Sequence, residues 1–208
     1  EYTLSIGRRA IILVPEIALT PQMTKRFVSR FGGENLAILH SKLTDRERFE
    51  EWIRIERGEA KIVIGTRSAI FAPLKNIGVI VIDEEHDSSY KSETIPRYHA
   101  VEIARYFAKT EDAVLLLGSA TPSVETYYKT QIGKIKLLEL KTRANKAKLP
   151  EVEIVDLRKN RNLISNELKN KILESKREGK QSIIFLNKRG YSRLLICEDC
   201  GYTVSCPK

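Results

Sequence analysis

Five short runs, at residues 10–14, 36–39, 61–64, 77–82 and 113–117, are almost wholly apolar, and helix-like stretches separate them. A strand wetted on one face alternates apolar and polar residues. A run without alternation, such as Ala10-Ile11-Ile12-Leu13-Val14, is expected to be covered on both faces. Helical crossovers between such runs place them side by side in parallel. The pattern therefore predicts the α/β class: a parallel sheet flanked by helices.

The intervening stretches carry helix-start signals. Thr20-Pro21 reads as an N-cap followed by proline at the first helical position, with Met23, Phe27 and Phe31 recurring on one face. Thr44-Asp45-Arg46-Glu47 is a capping box, and Phe49, Trp52 and Ile53 are expected to form the buried face of its helix. Residues 98–109 predict a helix with Val101, Ala104 and Ala108 on one side. Thr121-Pro122 predicts another cap-plus-proline start. Residues 135–140 and 151–157 read as strands around a basic linker at 141–149. A second unit then opens with a helix over 165–177, ended by Gly179, and a strand over 182–186. The predicted divisions are a first domain at 1–140, a linker at 141–160, the start of a second domain at 161–196, and a cysteine segment at 197–208.

Charge is uneven. The chain of 208 residues carries a net +9, yet residues 1–128 hold 17 basic and 18 acidic side chains, while residues 129–180 hold 15 and 7. Such a basic segment suits a phosphate backbone, or equally a solvated lysine-rich surface. With 42% hydrophobic and 30% charged residues, the composition fits a soluble globular protein. No apolar run approaches a membrane span, and no basic-then-apolar leader opens the chain. A start at Glu1 and an end at Pro207-Lys208 read as an interior piece of a longer protein. Three cysteines, Cys197, Cys200 and Cys206, are odd in number and too closely spaced for a disulfide framework, and the Cys-x-x-Cys pair suggests metal in a reducing compartment.

The chemistry is concentrated at strand ends. Asp83-Glu84-Glu85-His86 follows the apolar run 77–82, so its carboxylates face the crevice where open α/β sheets bind ligands. Nucleotide hydrolysis needs one carboxylate to hold hydrated Mg²⁺, a role suited to Asp83, and another to orient water, suited to Glu84. An acidic turn capping the next element is the competing reading, but an apolar strand ending in this tetrad favours the former. Gly118-Ser119-Ala120-Thr121-Pro122 follows the next run. Alone it is a capped loop; paired with the tetrad, its hydroxyls can bond toward the carboxylates on one side and a bound strand on the other. Residues 13–22, with Pro15, Thr20 and Gln22, and residues 65–69, with Thr66, Arg67 and Ser68, end strands on the same inferred rim. Their hydroxyls, backbone N–H groups and guanidinium suit sequence-blind phosphate contacts, though ordinary strand-to-helix connections would look similar. His40 is read as structural.

Taken together, Val14-Pro15-Glu16-Ile17-Ala18-Leu19-Thr20-Pro21-Gln22, Gly65-Thr66-Arg67-Ser68-Ala69, Asp83-Glu84-Glu85-His86-Asp87-Ser88-Ser89-Tyr90-Lys91 and Gly118-Ser119-Ala120-Thr121-Pro122 resemble the primosomal replication-restart helicases of superfamily 2. The segments Arg97-Tyr98-His99-Ala100, Leu149-Pro150-Glu151-Val152 and Phe185-Leu186-Asn187-Lys188-Arg189-Gly190-Tyr191 extend the resemblance over nearly the whole chain. The resemblance implies two RecA-like domains and an ATP-driven 3′-to-5′ DNA helicase acting at stalled or abandoned bacterial replication forks. In such a protein Asp83, Glu84 and His86 serve catalysis with Mg-ATP. Glu85, Ser119, Thr121 and the aromatic-rich loop at 87–99, with Tyr90 and Tyr98, couple DNA contact to hydrolysis. Pro15, Thr20, Gln22, Thr66, Arg67 and Ser68 line the DNA path. Val101-Glu102 departs from the Arg-Asp that many members have there.

The resemblance also implies two Zn²⁺ ions with interleaved ligands, Cys197 and Cys200 on one and Cys206 on the other. Forked DNA, primosome proteins and single-stranded DNA-binding protein are the implied partners, without a membrane, and the implied location is cytoplasmic and nucleoid-associated. The phosphate-binding pattern G-x-x-x-x-G-K-[ST] is absent from the 208 residues. In the family it lies upstream, and the arginine finger lies downstream, so the piece alone is expected to be inactive. Two other readings remain: a general superfamily 2 translocase, or a non-hydrolysing DNA-binding zinc scaffold.

Overall fold

The apolar runs form five strands, β1 (Arg9–Leu13), β2 (Leu36–Leu39), β3 (Ile62–Gly65), β4 (Ile77–Ile82) and β5 (Val114–Leu117), in the spatial order β2-β3-β1-β4-β5. Every pairing is parallel. The computed structural model describes residues 1–15, 18–142, 150–156 and 164–185, which fall in two units, Glu1–Glu139 and Leu140–Lys208. The sheet lies in the first unit.

Register makes the sheet a platform. Leu39 pairs with Gly65, Gly65 with Leu13, Leu13 with Ile82, and Ile82 with Leu117, so all five strands end at one level. Gly65 is required there, because a Cβ would collide with the Leu39 carbonyl and the Ala69 side chain. Its absence lets the 3₁₀ turn Arg67–Phe71 fold back over the strand ends.

Helices cover both faces. Ile11, Leu13, Val63, Ile80 and Ile82 face a core closed by Ile55 of α3 (Asp45–Glu56), by Ala69 and Ile70, and by Ala100, Val101, Ala104 and Ala108 of α4 (Ala100–Thr110). Ala10, Leu36, Ile62 and Ile64 face the opposite core, against Leu4 of α1 (Tyr2–Ser5) and Met23, Phe27 and Phe31 of α2 (Pro21–Phe31). Edge strand β5 differs: Leu115 and Leu117 pack on the first core, while Val114 and Leu116 are 63% and 46% exposed.

The capping signals form where the sequence places them, with one exception. Thr20 accepts from Met23 N at 3.2 Å, and Thr44 with Glu47 makes the reciprocal capping box. In the third case the cap is Ser123 rather than Thr121: its hydroxyl accepts from Thr126 N at the start of α5 (Val124–Gln131). In the second unit, α6 (Asn166–Arg177) is capped by Ser165 and followed by Gly179 at φ +70°.

Other expectations are corrected. Phe49 and Trp52 are 65% and 37% exposed, because Ile55 takes the sheet-facing position on α3. At 3.6 residues per turn, Phe49 then sits about 120° round the helix from it. Residues 136–140, 150–156 and 182–185 are not strands. Leu140, Ile154 and Ile183 are almost fully exposed, and an apolar alternation without a neighbouring strand has no ladder to join. Residues 186–208, which hold the rest of that last expected strand and the cysteines, lie outside the described residues. Among the described residues, no helix is long and apolar enough to cross a membrane.

Candidate active site

The sheet changes direction at β1 and β4. From β1 the chain crosses toward β2, and from β4 it crosses toward β5, so a crevice opens at their C-terminal ends. Asp83 lies at this point, where its N–H extends the ladder by donating to Leu13 O at 2.9 Å. Its exposed carboxylate accepts from Glu84 N at 3.1 Å. A Cβ at Gly118 would stand 3.6 Å from Asp83 Oδ1, so the turns after β4 and β5 face one another.

The next three residues diverge in role. Glu84 has φ +46°, a left-handed conformation that costs an L side chain on the order of 1 kcal/mol. Hydrogen bonds on either side hold it: Asp87 N donates to Glu84 O at 2.8 Å, and Glu85 N to Gly118 O at 3.0 Å. His86 Nδ1 lies 2.7 Å from Ser119 Oγ and 3.6 Å from Glu84 Oε2. Ser119 Oγ also accepts from Thr121 N at 3.0 Å. The tetrad and the loop after β5 are thus joined side chain to side chain, as their sequence pairing suggests.

Glu85 turns inward and is only 5% exposed. Its carboxylate accepts from Ser123 N (2.7 Å), Ser123 Oγ (3.1 Å) and Thr126 Oγ1 (3.0 Å). A carboxylate buried without partners would be strongly unfavourable, whereas three donors and the positive end of α5 compensate it. The clamp fixes the start of α5 relative to β4. Ser123 and Thr126 were not singled out from the sequence. The available signal was Ser123-x-x-Thr126, two hydroxyls at cap spacing one crossover after a spare acidic residue.

The segment 87–99 is tied down at its base. Tyr90 is fully buried and donates its hydroxyl to Asp83 O at 2.6 Å. Burial, then the charges of Asp83, Asp87 and Glu84, push its phenol well above the ordinary range. The Ser89 side chain and backbone N–H hold the Asp87 carboxyl below its usual range, and the N–H donates at 2.8 Å. Tyr98, half-buried, meets Phe71 edge-on at 5.0 Å.

The residues expected to touch DNA separate into two groups. Pro15 is buried, so its ring is unavailable to a ligand. Arg67 is committed within the protein: its Nη1 donates to the Ser89 carbonyl at 3.1 Å and to that of Lys91, and its guanidinium lies 5.7 Å from the Tyr98 ring centre. Ser68 and Gln22 are exposed, Thr66 is half-buried, and Thr20 is exposed while serving as a cap. His40, at the end of β2 on the same rim, has a buried Nδ1 without a protein partner.

The sequence pattern of the DEAD/DEAH box helicases matches residues 3–130, which take in all five strands and both turns. The chain belongs to this family. Its tetrad places Glu85 where the DEAD/DEAH name has alanine, and that departure is the buried clamp on α5. The chain is also similar to "Replication restart protein PriA" of three bacteria. It is 50% identical to that of Bacillus subtilis over 212 residues, covering 100% of this chain and 26% of the relative. For Treponema pallidum the figures are 46% over 206 residues, 99% and 31%. For Synechocystis they are 44% over 214 residues, 98% and 26%. The chain therefore spans well under half the length of these relatives.

For a DEAD/DEAH box helicase the rim offers a suitable donor set. Magnesium in nucleotide sites takes one or two protein carboxylates and completes its shell with phosphate and water, so an exposed Asp83 beside Glu84 fits it. Among the described residues no group of three or more His, Cys, Asp or Glu side chains is placed to hold a metal ion. Cys197, Cys200 and Cys206 lie outside them.

Two measurements check this geometry. Glu85→Ala leaves the Ser123 and Thr126 donors without their acceptor and is expected to cost about 2–3 kcal/mol in urea unfolding. Faster hydrogen exchange at the Ser123 and Thr126 amides should accompany it; unchanged stability would contradict the clamp. For Tyr90, both states are neutral below about pH 10, and above it the unfolded phenol ionises while the folded one keeps its proton. Stability should therefore fall as pH rises past that value. Tyr90→Phe should flatten the slope, and a slope that it leaves untouched would assign the titration elsewhere.

Proposed function

We propose that this chain is the motor segment of an ATP-dependent 3′-to-5′ DNA helicase that acts at stalled or abandoned replication forks and starts primosome assembly. The observation that carries the reading is the joined pair of turns at the crevice, Asp83 and Glu84 after β4 with His86 bonded to Ser119 after β5. Family membership supports a helicase, and the similarity to replication restart proteins supports the fork as its setting.

In this reading Asp83 holds magnesium and Glu84 orients the attacking water, with His86 between Glu84 and Ser119 as the link to the DNA side. Bound Mg-ATP supplies the phosphoryl group and the cation that offsets its charge. Glu85, through its hold on α5, keeps the Ser119–Thr121 turn in place. Ser68, Gln22, Thr66 and Thr20 provide phosphate contacts on the rim, and the Thr20 hydroxyl, though an acceptor toward Met23, still has its proton to donate. Tyr90 and Tyr98 relay loop position. Cys197, Cys200 and Cys206 are thiols with the spacing zinc takes, and a tetrahedral set needs more ligands than these three provide. The protein works in the bacterial cytoplasm at the nucleoid, with primosome proteins and single-stranded DNA-binding protein as partners.

Glu84→Gln in the full-length protein is expected to retain ATP binding and lose turnover by on the order of 100-fold or more; an unchanged kcat would remove Glu84 from the water-orienting role. The 208 residues contain no G-x-x-x-x-G-K-[ST] loop to cradle phosphates, so by themselves they should bind Mg-ATP weakly. A fluorescent-nucleotide titration of the isolated chain tests this, and tight binding would contradict it.

A further inference from the structure

The 3₁₀ turn Arg67–Phe71 follows β3, whereas the segment 87–99 follows β4, and Arg67 bridges the two. The segment runs out through Ser89 and Lys91 and returns through Tyr98 and His99. Ser92 N donates to Tyr98 O at 2.8 Å, and Lys91 and His99 form an antiparallel bridge. Ile95, at its tip, is 90% exposed. Arg67 grips both arms at once: carbonyls of Ser89 and Lys91 on the outgoing arm, and the Tyr98 ring on the return. Phe71, from the same turn, also meets the Tyr98 ring, edge-on. Beneath Arg67's arm of the loop, Tyr90 donates to the carbonyl of Asp83 itself.

We propose that Arg67 is a positioning residue, a staple that sets the loop 87–99 and, through Tyr90, the main chain of Asp83, rather than a contact to DNA phosphate. This builds on the helicase reading above. The chemistry is specific to arginine. One guanidinium can donate to two carbonyls while presenting a flat, weakly hydrated cationic face to an aromatic ring, whereas an ammonium is a compact, strongly hydrated charge with no such face. Both Nη1 protons go to carbonyls of its own chain, so the side chain acts as an internal strut between two strand-end turns.

The test uses the full-length protein, its Arg67→Lys and Arg67→Ala variants, and a thymidine oligonucleotide as the DNA. Trypsin cleavage at Lys91 and Arg97, mapped by mass spectrometry, reports loop order. ATP turnover against oligonucleotide concentration separates the maximal rate from half-stimulation, and oligonucleotide affinity is measured across salt. If Arg67 is the staple, both variants are cut faster and both lose about tenfold in maximal DNA-stimulated rate. The half-stimulating concentration and the salt slope then change little. If Arg67 instead holds a phosphate, lysine substitutes for it and alanine lowers the log–log salt slope by about one with an unchanged maximal rate, which overturns the proposal. Unchanged cleavage in both variants also overturns it. Should the wild-type protein show no DNA-stimulated turnover, the helicase reading fails separately, and the cleavage rates alone decide the staple: faster in both variants supports it, unchanged rejects it.

Discussion

The hydrogen bond from Asp83 N to Leu13 O, one step past the paired level of Leu13 and Ile82, governs the arrangement of everything else at the rim. A parallel ladder has evenly spaced bonds, so a strand cannot slip by one residue without turning each side chain to the opposite face. Here a slip of β4 would move Ile80 and Ile82 out of the core and swing Asp83 away from the crevice. Burial of the strand therefore fixes the position of the carboxylate. The hydrophobic core is the reason that an exposed acidic group stands at the switch point.

Beyond Asp83 the backbone leaves the ladder, and a different force takes over. Glu84 in a left-handed conformation is not favourable by itself, so its neighbours must hold it. Glu85 does much of that from below. Its backbone N–H reaches Gly118 O, and its side chain gathers three donors from the start of α5. The two turns thereby become one unit, joined underneath by a buried carboxylate and on top by His86 with Ser119. A tetrad with alanine at this position would have the upper connection without the lower one.

The inner strands of the sheet were legible in the sequence because burial on two faces removes polar residues from the pattern, and that removal is visible without knowing any neighbour; β5 kept an apolar run although Val114 and Leu116 are exposed. The capping box at Thr44 was legible for a similar reason, since both partners lie within one helical turn. Contacts set by distant segments were not legible. Pro15 follows β1 on the expected rim but is buried, and Arg67 sits at the expected strand end with its guanidinium turned to Ser89, Lys91 and Tyr98. Position along a strand says which edge a residue occupies, and only packing says where its side chain goes. The strands expected at 135–140, 151–157 and 182–186 failed, over their described residues, on the same ground: periodicity describes one side of a pairing. Phe49 and Trp52 were misplaced because three candidate core residues on one helix cannot all face the sheet once Ile55 does.

The rim residues thus divide by commitment. Pro15 is buried, and Glu85, Tyr90 and Arg67 are bound up in holding turns to one another, while Asp83, Ser68, Gln22 and Thr121 face solvent. This division matters for how such a site can work. A ligand at the exposed groups meets turns whose positions are already fixed by buried ones, so little ordering remains to oppose binding. The committed groups also share neighbours: Tyr90 touches Asp83, Arg67 touches the segment carrying Tyr90, and Glu85 is adjacent to both Glu84 and His86. A displacement of the exposed loop around Ile95 can reach the carboxylates through Arg67 and Tyr90 as well as along the main chain, where Asp87 N is bonded to Glu84 O. Polar contacts of Arg67 and of the Tyr90 hydroxyl therefore add to the mechanical continuity between the loop and the acidic turn, with the Tyr90 ring itself seated in the apolar core.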